Sequence, residues 1–368
     1  MTVALPAAPV NVSRTPGDSL VPAVAVDPAG VIHVVWHESS SGHFQLLYSR
    51  SRDGGATFAP GLAISGPGEA QVPVIAADRD GAIYAAWEGE AAGNRDIFFS
   101  RSTDGGATFG PPVNLSGNPG DSKLPAIVAR GSGEVYVAWQ DSTGPGRQIL
   151  LRRSTDGGKH FEAAQPLAPH AVGTRAPAMA IDATGALILV WQGTVAGTPG
   201  VVFARSTDGG RTFPAPRLLV PGTRERLAPA VVTADRAIYL VWRDRVAGRS
   251  EILFARSADG GQTFAAPLNV SRTPGLANAP AIAVDGRGRI TVAWQDDRTG
   301  TPKIFAAHSA DGGVTFSPPT QVARTSGFAH LPALAASRDR TFLVWHDNSP
   351  GDFEIFFLAL PVTGPGGS

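Results

Sequence analysis

Trp36, Trp87, Trp139, Trp191, Trp242, Trp294 and Trp345 are the only tryptophans of the chain, and they follow one another at steps of 51 or 52 residues. A proline stands at a matching offset before each, at Pro22, Pro73, Pro125, Pro177, Pro229, Pro280 and Pro332. Two residue types locked to one long period define a sevenfold repeat, in which each unit exposes apolar surface that only its neighbour can cover. The repeat also explains how 368 residues form one body, since a single undivided core stops growing at roughly 250 to 300 residues.

Within one unit the apolar residues fall in short runs: PAVAVD before the tryptophan, IHVVWHE around it, QLLYSRS after it, and a last run such as LAIS or VNLS. These runs are rich in Val, Ile, Leu and aromatics, and Gly, Pro, Asp and Ser turns divide them, which is the strand pattern; helical periodicity is absent. Four strands per unit of about fifty residues predict the blade of a propeller. The fold class expected is all-β, a seven-bladed β-propeller with four antiparallel strands per blade. As one domain over 1–368, its blades fall near 20–66, 71–117, 123–169, 175–220, 227–271, 278–323 and 330–360, the last completed by residues 9–14.

Between the third and fourth strands an octapeptide occurs six times, starting at Ser51, Ser102, Ser154, Ser206, Ser257 and Ser309, with the form SRDGGATF or STDGGRTF. It resembles the Asp-box, S-x-D-x-G-x-T-[FW], and so the chain is similar to BNR-repeat propellers of the sialidase-like superfamily. Its physical content is a tight turn, with an aspartate to bond nearby backbone N–H groups, glycines to take positive φ and an aromatic anchor. Such an aspartate recurring in every box reads as structural, because a catalytic residue is needed once. The third copy carries His160 where the others have Thr. Seven tryptophans against six boxes indicate an incomplete last blade, and VNVSRTPG at 10–17, matching LNVSRTPG at 268–275, supplies its missing outer strand.

Basic and acidic residues balance at 31 each and no cysteine is present. This disfavours nucleic acid as a partner and excludes thiolate chemistry, disulfides and Cys-ligated metals. No run approaches the roughly 20 apolar residues of a membrane span. The expectation is a soluble monomer without cofactor, extracytoplasmic or secreted if a signal peptide has been removed.

Function must then rest where the repeats differ, on the loops opposite the Asp-boxes. Two residues before each proline stand Leu20, Gln71, Lys123, Arg175, Leu227, Asn278 and His330, and the two residues after each tryptophan include His37, Glu38, Glu88, Gln140, Asp141, Gln192, Arg243, Asp244, Gln295, Asp296, His346 and Asp347. Gln71, Lys123, Arg175, Asn278 and His330, with Arg243 and Asp244, are the candidate ligand-binding residues around the channel mouth, suited to a carbohydrate or a protein or peptide ligand. The sialidase resemblance implies three arginines for a substrate carboxylate, a tyrosine nucleophile with a glutamate partner, and an acidic residue. Tyr48, Tyr84, Tyr136 and Tyr239 are all periodic strand residues, and the arginine motif of the first blade finds Leu20-Val21-Pro22, with Arg175-Ala176-Pro177 as its nearest imitation. The primary expectation is therefore a non-catalytic binding propeller. Two alternatives stand beside it: a glycoside hydrolase, either sialidase-like or pairing two carboxylates among Glu38, Asp141, Asp244, Asp296 and Asp347, and a metal site built from His37, His330 and His346.

Overall fold

The computed structural model describes residues 8–361 except 92, 132, 145, 168–171, 222–227 and 323–324. It contains seven four-stranded antiparallel sheets, and no helix among the described residues. In the first blade the strands are Ser19–Val26, Ile32–Glu38, Gln45–Ser51 and Leu62–Ala63, running from the channel outward. The outermost strand has only two residues, both exposed, and so presents a short edge that offers little to a passing strand; the fourth blade, with Arg217–Pro221, has a longer one.

The second strand is buried along its whole length in Ile32–Glu38, since neighbouring blades cover both of its faces. Each tryptophan sits here and is at most 1% exposed. It packs against the preceding blade: Trp87 clusters with Val35, Leu46 and Tyr48, and Trp294 with Tyr239, Val241 and Ile252. Trp36 packs on Phe342, Val344 and Phe357, which closes the ring between the last blade and the first. The tryptophans are thus the interblade cement, each of the kind whose truncation costs about 3–5 kcal/mol.

The last blade is a composite. Val10–Asn11 pairs antiparallel with Glu354–Leu360, in the register Val10 to Phe357 and Asn11 to Phe356. Val12 N–H donates to the Ile355 carbonyl at 2.7 Å, and Ile355 N–H to Ser13 Oγ at 2.8 Å. Ser13 Oγ in turn donates to the buried Glu354 carboxylate.

The Asp-box is a self-contained turn. Ser102 Oγ donates to Asp104 Oδ1 at 2.7 Å and accepts Gly106 N–H at 2.8 Å, while Asp104 receives Thr108 N–H at 3.0 Å and Thr108 Oγ1–H at 2.6 Å. These donors, the threonine hydroxyl foremost, hold the carboxyl below its usual range. His160 preserves the arrangement, its Nδ1 meeting Asp156 Oδ2 at 2.7 Å where the threonine hydroxyl would be. Gly106 adopts φ of 78°, and a Cβ there would stand 1.8 Å from Tyr48 Oη of the preceding blade, so two separate constraints demand glycine. An arginine just before the box serine reaches the box of the next blade, as when Arg101 Nη1 donates to the Gly157 carbonyl at 2.7 Å.

At the opposite end of the blades the innermost strands share one irregularity that the proline series alone does not reveal. The residue before each proline is left-handed: Val21, Val72, Leu124, Ala176, Ala228, Ala279 and Leu331 have φ between 41° and 54°. The strand skips register there, between Leu20 and Ala23 in the first blade and between Gln71 and Val74 in the second. This bulge turns an N–H toward the preceding blade, where the residue after the tryptophan receives it. Val21 N–H donates to His346 Nδ1 at 3.3 Å, Val72 N–H to His37 Nδ1 at 3.3 Å, and Leu124 N–H to Glu88 Oε1 at 2.7 Å. A non-glycine residue in this region costs about 1–2 kcal/mol, which these bonds offset.

Candidate functional site at the channel mouth

Two mouths open on the central channel. The Asp-boxes share theirs with the turns between the first and second strands, as the bond from Gly157 N–H to the Gly133 carbonyl at 2.9 Å records. A cavity of about 1050 Å³ is lined there by those turns, including Asp27, Asp78, Asp182 and Asp285. Their carboxylates are engaged in the turns themselves: Asp78 accepts Ala82 N–H at 2.9 Å and Tyr84 O–H at 2.8 Å, and Asp182 pairs with Arg205 at 3.0 Å. The other mouth is framed by the hairpins between second and third strands and by the loops joining blades, which bond each other in the pairs Ser39 to Asp18 and Ser142 to Asp121.

At this second mouth the carboxylates expected to face the channel mostly do something else. Glu38, Asp141, Asp296 and Asp347 are fully buried. Asp141 accepts Ser122 Oγ–H, Asn118 Nδ2–H and Thr143 N–H at 2.7–3.0 Å; Asp296 accepts Thr273 Oγ1–H at 2.8 Å, Trp294 Nε1–H at 2.9 Å and Arg298 Nη2–H at 2.7 Å. Glu38 and Asp347 accept Ser40 and Ser349 N–H in the same way. A carboxylate two residues after the tryptophan therefore ties the interblade loop to the hairpin. Asp244 is less buried and receives Arg245 N–H at 2.8 Å.

The histidines are likewise committed. His37 and His346 each accept a bulge N–H through Nδ1. Burial lowers His37 to about 4 and His346 to about 3, the latter also by the proximity of His330 and His37. His330 lies 5.5 Å from His346, centroid to centroid, between Phe328 at 6.4 Å and Phe353 at 6.1 Å. His330 and His346 form an aromatic cluster with Phe328 and Phe353, whereas His37 packs on Phe44 at 4.9 Å, and among the described residues no group of three His, Cys, Asp or Glu has the arrangement to hold a metal.

Of the proposed ring residues, all that lie within the described residues are half-buried, whereas Leu227 lies outside them. Gln71 is braced by Arg95 at 3.3 Å and Glu69 at 3.5 Å, Lys123 pairs with Asp121 at 2.7 Å, and Asn278 accepts Arg243 Nη1–H at 2.7 Å. The Arg175 side chain makes no hydrogen bond or ion pair among the described residues. A second column of the repeat, overlooked in reading the sequence, explains the difference. Two residues before the ring positions stand Asp18, Glu69, Asp121, Gly173, Leu276 and Phe328 in the first, second, third, fourth, sixth and seventh blades. Lys123 finds its acid in Asp121, and Arg175 finds Gly173. One carboxyl at this mouth departs upward from its usual range, that of Glu88, through burial.

The four tyrosines of the chain are buried, and their hydroxyls sit at the Asp-box end. Tyr48 Oη meets His33 Nδ1 at 2.7 Å, and Tyr84 Oη donates to Asp78. Burial raises both well above the usual phenol range.

The BNR repeat-like domain family matches residues 132–293. No curated protein sequence matches the chain. Among solved structures, a protein of unknown function from Dyadobacter fermentans is 16% identical with a TM-score of 0.58, over 98% of this chain and 99% of that one. A Hadza microbial sialidase is 17% identical with a TM-score of 0.56, over 90% and 73%, and Trypanosoma rangeli sialidase is 12% identical with a TM-score of 0.53, over 82% and 56%. At these identities the likeness is one of fold. The chain is thus a seven-bladed β-propeller with the fold of the sialidase structures, in which residues 132–293 match the BNR repeat-like domain family.

Proposed function

We propose that the chain is a non-catalytic binding propeller whose ligand occupies the channel mouth opposite the Asp-boxes, with Arg175 as its anion-recognising group. The observation that carries this reading is the contrast in the ring: Lys123 is neutralised by Asp121, and Arg175 has no partner among the described residues. An unpaired guanidinium at the channel mouth is a ready donor for a carboxylate or another anionic or hydroxyl-rich group. The absence of a tyrosine hydroxyl at this mouth, and the use of Glu38, Asp141, Asp296 and Asp347 as loop ties, favour binding over glycoside hydrolysis. Sialidases among the structural neighbours make a glycan one ligand class to test.

The test is Arg175→Ala, assayed on a glycan array and with a sialoside substrate alongside the wild type. Loss of a charge-assisted bond weakens binding by about 1.5–3 kcal/mol, while the melting temperature stays within a degree because a half-exposed arginine without partners contributes little to folding. Turnover of the sialoside by the wild type would overturn the non-catalytic reading. Binding unaffected by Arg175→Ala would remove the arginine from the site.

A further inference from the structure

Nine large apolar side chains are exposed among the described residues, and five of them, Leu124, Val246, Leu276, Phe328 and Leu331, belong to the mouth opposite the Asp-boxes. Leu62, Val113 and Leu268 lie on outermost strands and Val314 in an Asp-box. Three of the five lie on neighbouring blades, while Leu124 and Val246 belong to the third and fifth blades on either side of the fourth. Leu276 opens the sixth blade, and Phe328 and Leu331 the seventh. The fourth blade, which carries Arg175, stands across the ring from the seventh and the first. Arg175 and the group Leu276, Phe328 and Leu331 therefore stand on different sides of the mouth.

The apolar group is held rigid. Phe328 is 45% exposed, yet its N–H donates to Asn348 Oδ1 at 2.7 Å and its loop is fastened from below. The buried Lys303 donates to the carbonyls of Thr325, at 2.7 Å, and Gly327, and Thr325 Oγ1 donates to Asp347. Leu276 is 51% exposed, with its N–H on Asp297 Oδ1 at 2.6 Å. Loops that spend a buried lysine and a buried aspartate on fixing their backbone, and then present Phe and Leu to water, have the character of preorganised anchors.

We infer that the mouth docks a polypeptide segment, one in which an acidic side chain accompanies a large apolar one, with Arg175 receiving the acid and the Leu276, Phe328, Leu331 side receiving the apolar group. The inference rests on the mouth being the binding face, as proposed above, and adds the class of occupant. A saccharide is read through many free donors and acceptors. Here Gln71, Lys123 and Asn278 are already engaged with Arg95, Asp121 and Arg243. What the mouth offers among the described residues includes the Arg175 guanidinium and a set of aliphatic and aromatic surfaces, the complement of a protein hot spot.

The experiment pans a displayed library of random dodecapeptides on the immobilised full chain, then measures the enriched sequences as synthetic labelled peptides by fluorescence anisotropy. Wild type is compared with Arg175→Glu and with the double variant Phe328→Ser, Leu331→Ser, while melting curves verify that each variant is folded. The expected result is enrichment of Asp or Glu together with Leu, Phe or Trp, and a Kd raised roughly tenfold or more in each variant, since anchor residues carry more than about 1.4 kcal/mol each. Enrichment of peptides indifferent to both changes, or no enrichment at all, overturns the inference. A glycan that binds through Arg175 in the same variants, with no peptide enriched, would sink the polypeptide assignment and leave the binding face standing. If neither glycan nor peptide responds to Arg175→Glu, the binding face falls as well.

Discussion

Deleting residues 1–14 removes the outer strand of the seventh blade without touching any other sheet. Val12, only 4% exposed, loses its burial against the ring seam, worth about 2 kcal/mol. The bonds from Val12 to Ile355, from Ile355 to Ser13 and within the Val10 to Phe357 pair go with it, at about 1 kcal/mol each. Glu354, buried beneath Ser13, loses its nearest donor, a further 1 kcal/mol or so. The loss of about 6 kcal/mol is a large part of a typical folding stability of 5–15 kcal/mol. With an unfolding entropy of about 2.1 cal/mol/K per residue over this length, the melting temperature falls by roughly 8 °C. Differential scanning calorimetry of the truncated chain measures it directly, and Val12→Asp in the full-length chain reproduces most of the effect without altering chain length. The bared edge of Glu354–Leu360 also promotes association, visible as concentration-dependent light scattering. A truncated chain that melts with the wild type would refute the seam as a source of stability.

His37→Gln and His346→Gln place at these positions the residue that Gln140, Gln192 and Gln295 supply in other blades. Both histidines are held neutral in the fold, with His37 at about 4 and His346 at about 3. Because the unfolded chain takes up protons first, stability is unaffected above pH 6.5 and declines below it, until His37 itself protonates near pH 4 and His346 near pH 3. The decline is about 1.4 kcal/mol per pH unit for each histidine. Urea titrations between pH 7 and pH 4 should show a shallower acid loss in each variant, and identical slopes would mean these imidazoles do not carry it. Gly106→Ala drives a Cβ toward Tyr48 Oη at a φ of 78°; it should destabilise the chain by more than about 2 kcal/mol in denaturant, and a shift under a few tenths would show that the turn can relax.

The architecture was legible in the sequence because periodicity is a property of the whole chain: the tryptophan and proline columns count the blades, and VNVSRTPG locates the closing strand. The site was less so, for a physical reason visible in Asp141 and Asp296. A carboxylate after a strand tryptophan looks free in one dimension, and only the fold reveals that Asn118 or Thr273, more than twenty residues away, reaches it. Lys123 and Arg175 read alike as ring cations; the distinction lay in Asp121 and Gly173, a column that carries no repeat signature and so escaped notice. The left-handed residue before each proline left no mark at all, since Val, Leu and Ala at those positions are not residues that favour positive φ.

That bulge bears on how such a chain can diversify. The backbone keeps the same turn whether the side chain preceding it is Leu20, Gln71, Lys123, Arg175, Asn278 or His330. In the first three blades the turn is fastened by an N–H to the neighbouring blade and owes nothing to the identity of that residue. The ring thus behaves as a set of exchangeable sockets on a fixed chassis, where mutation can explore new recognition chemistry with little risk to folding. A library randomised at these positions should remain largely folded while its binding preferences scatter, which makes the same ring a natural place to begin engineering new specificities.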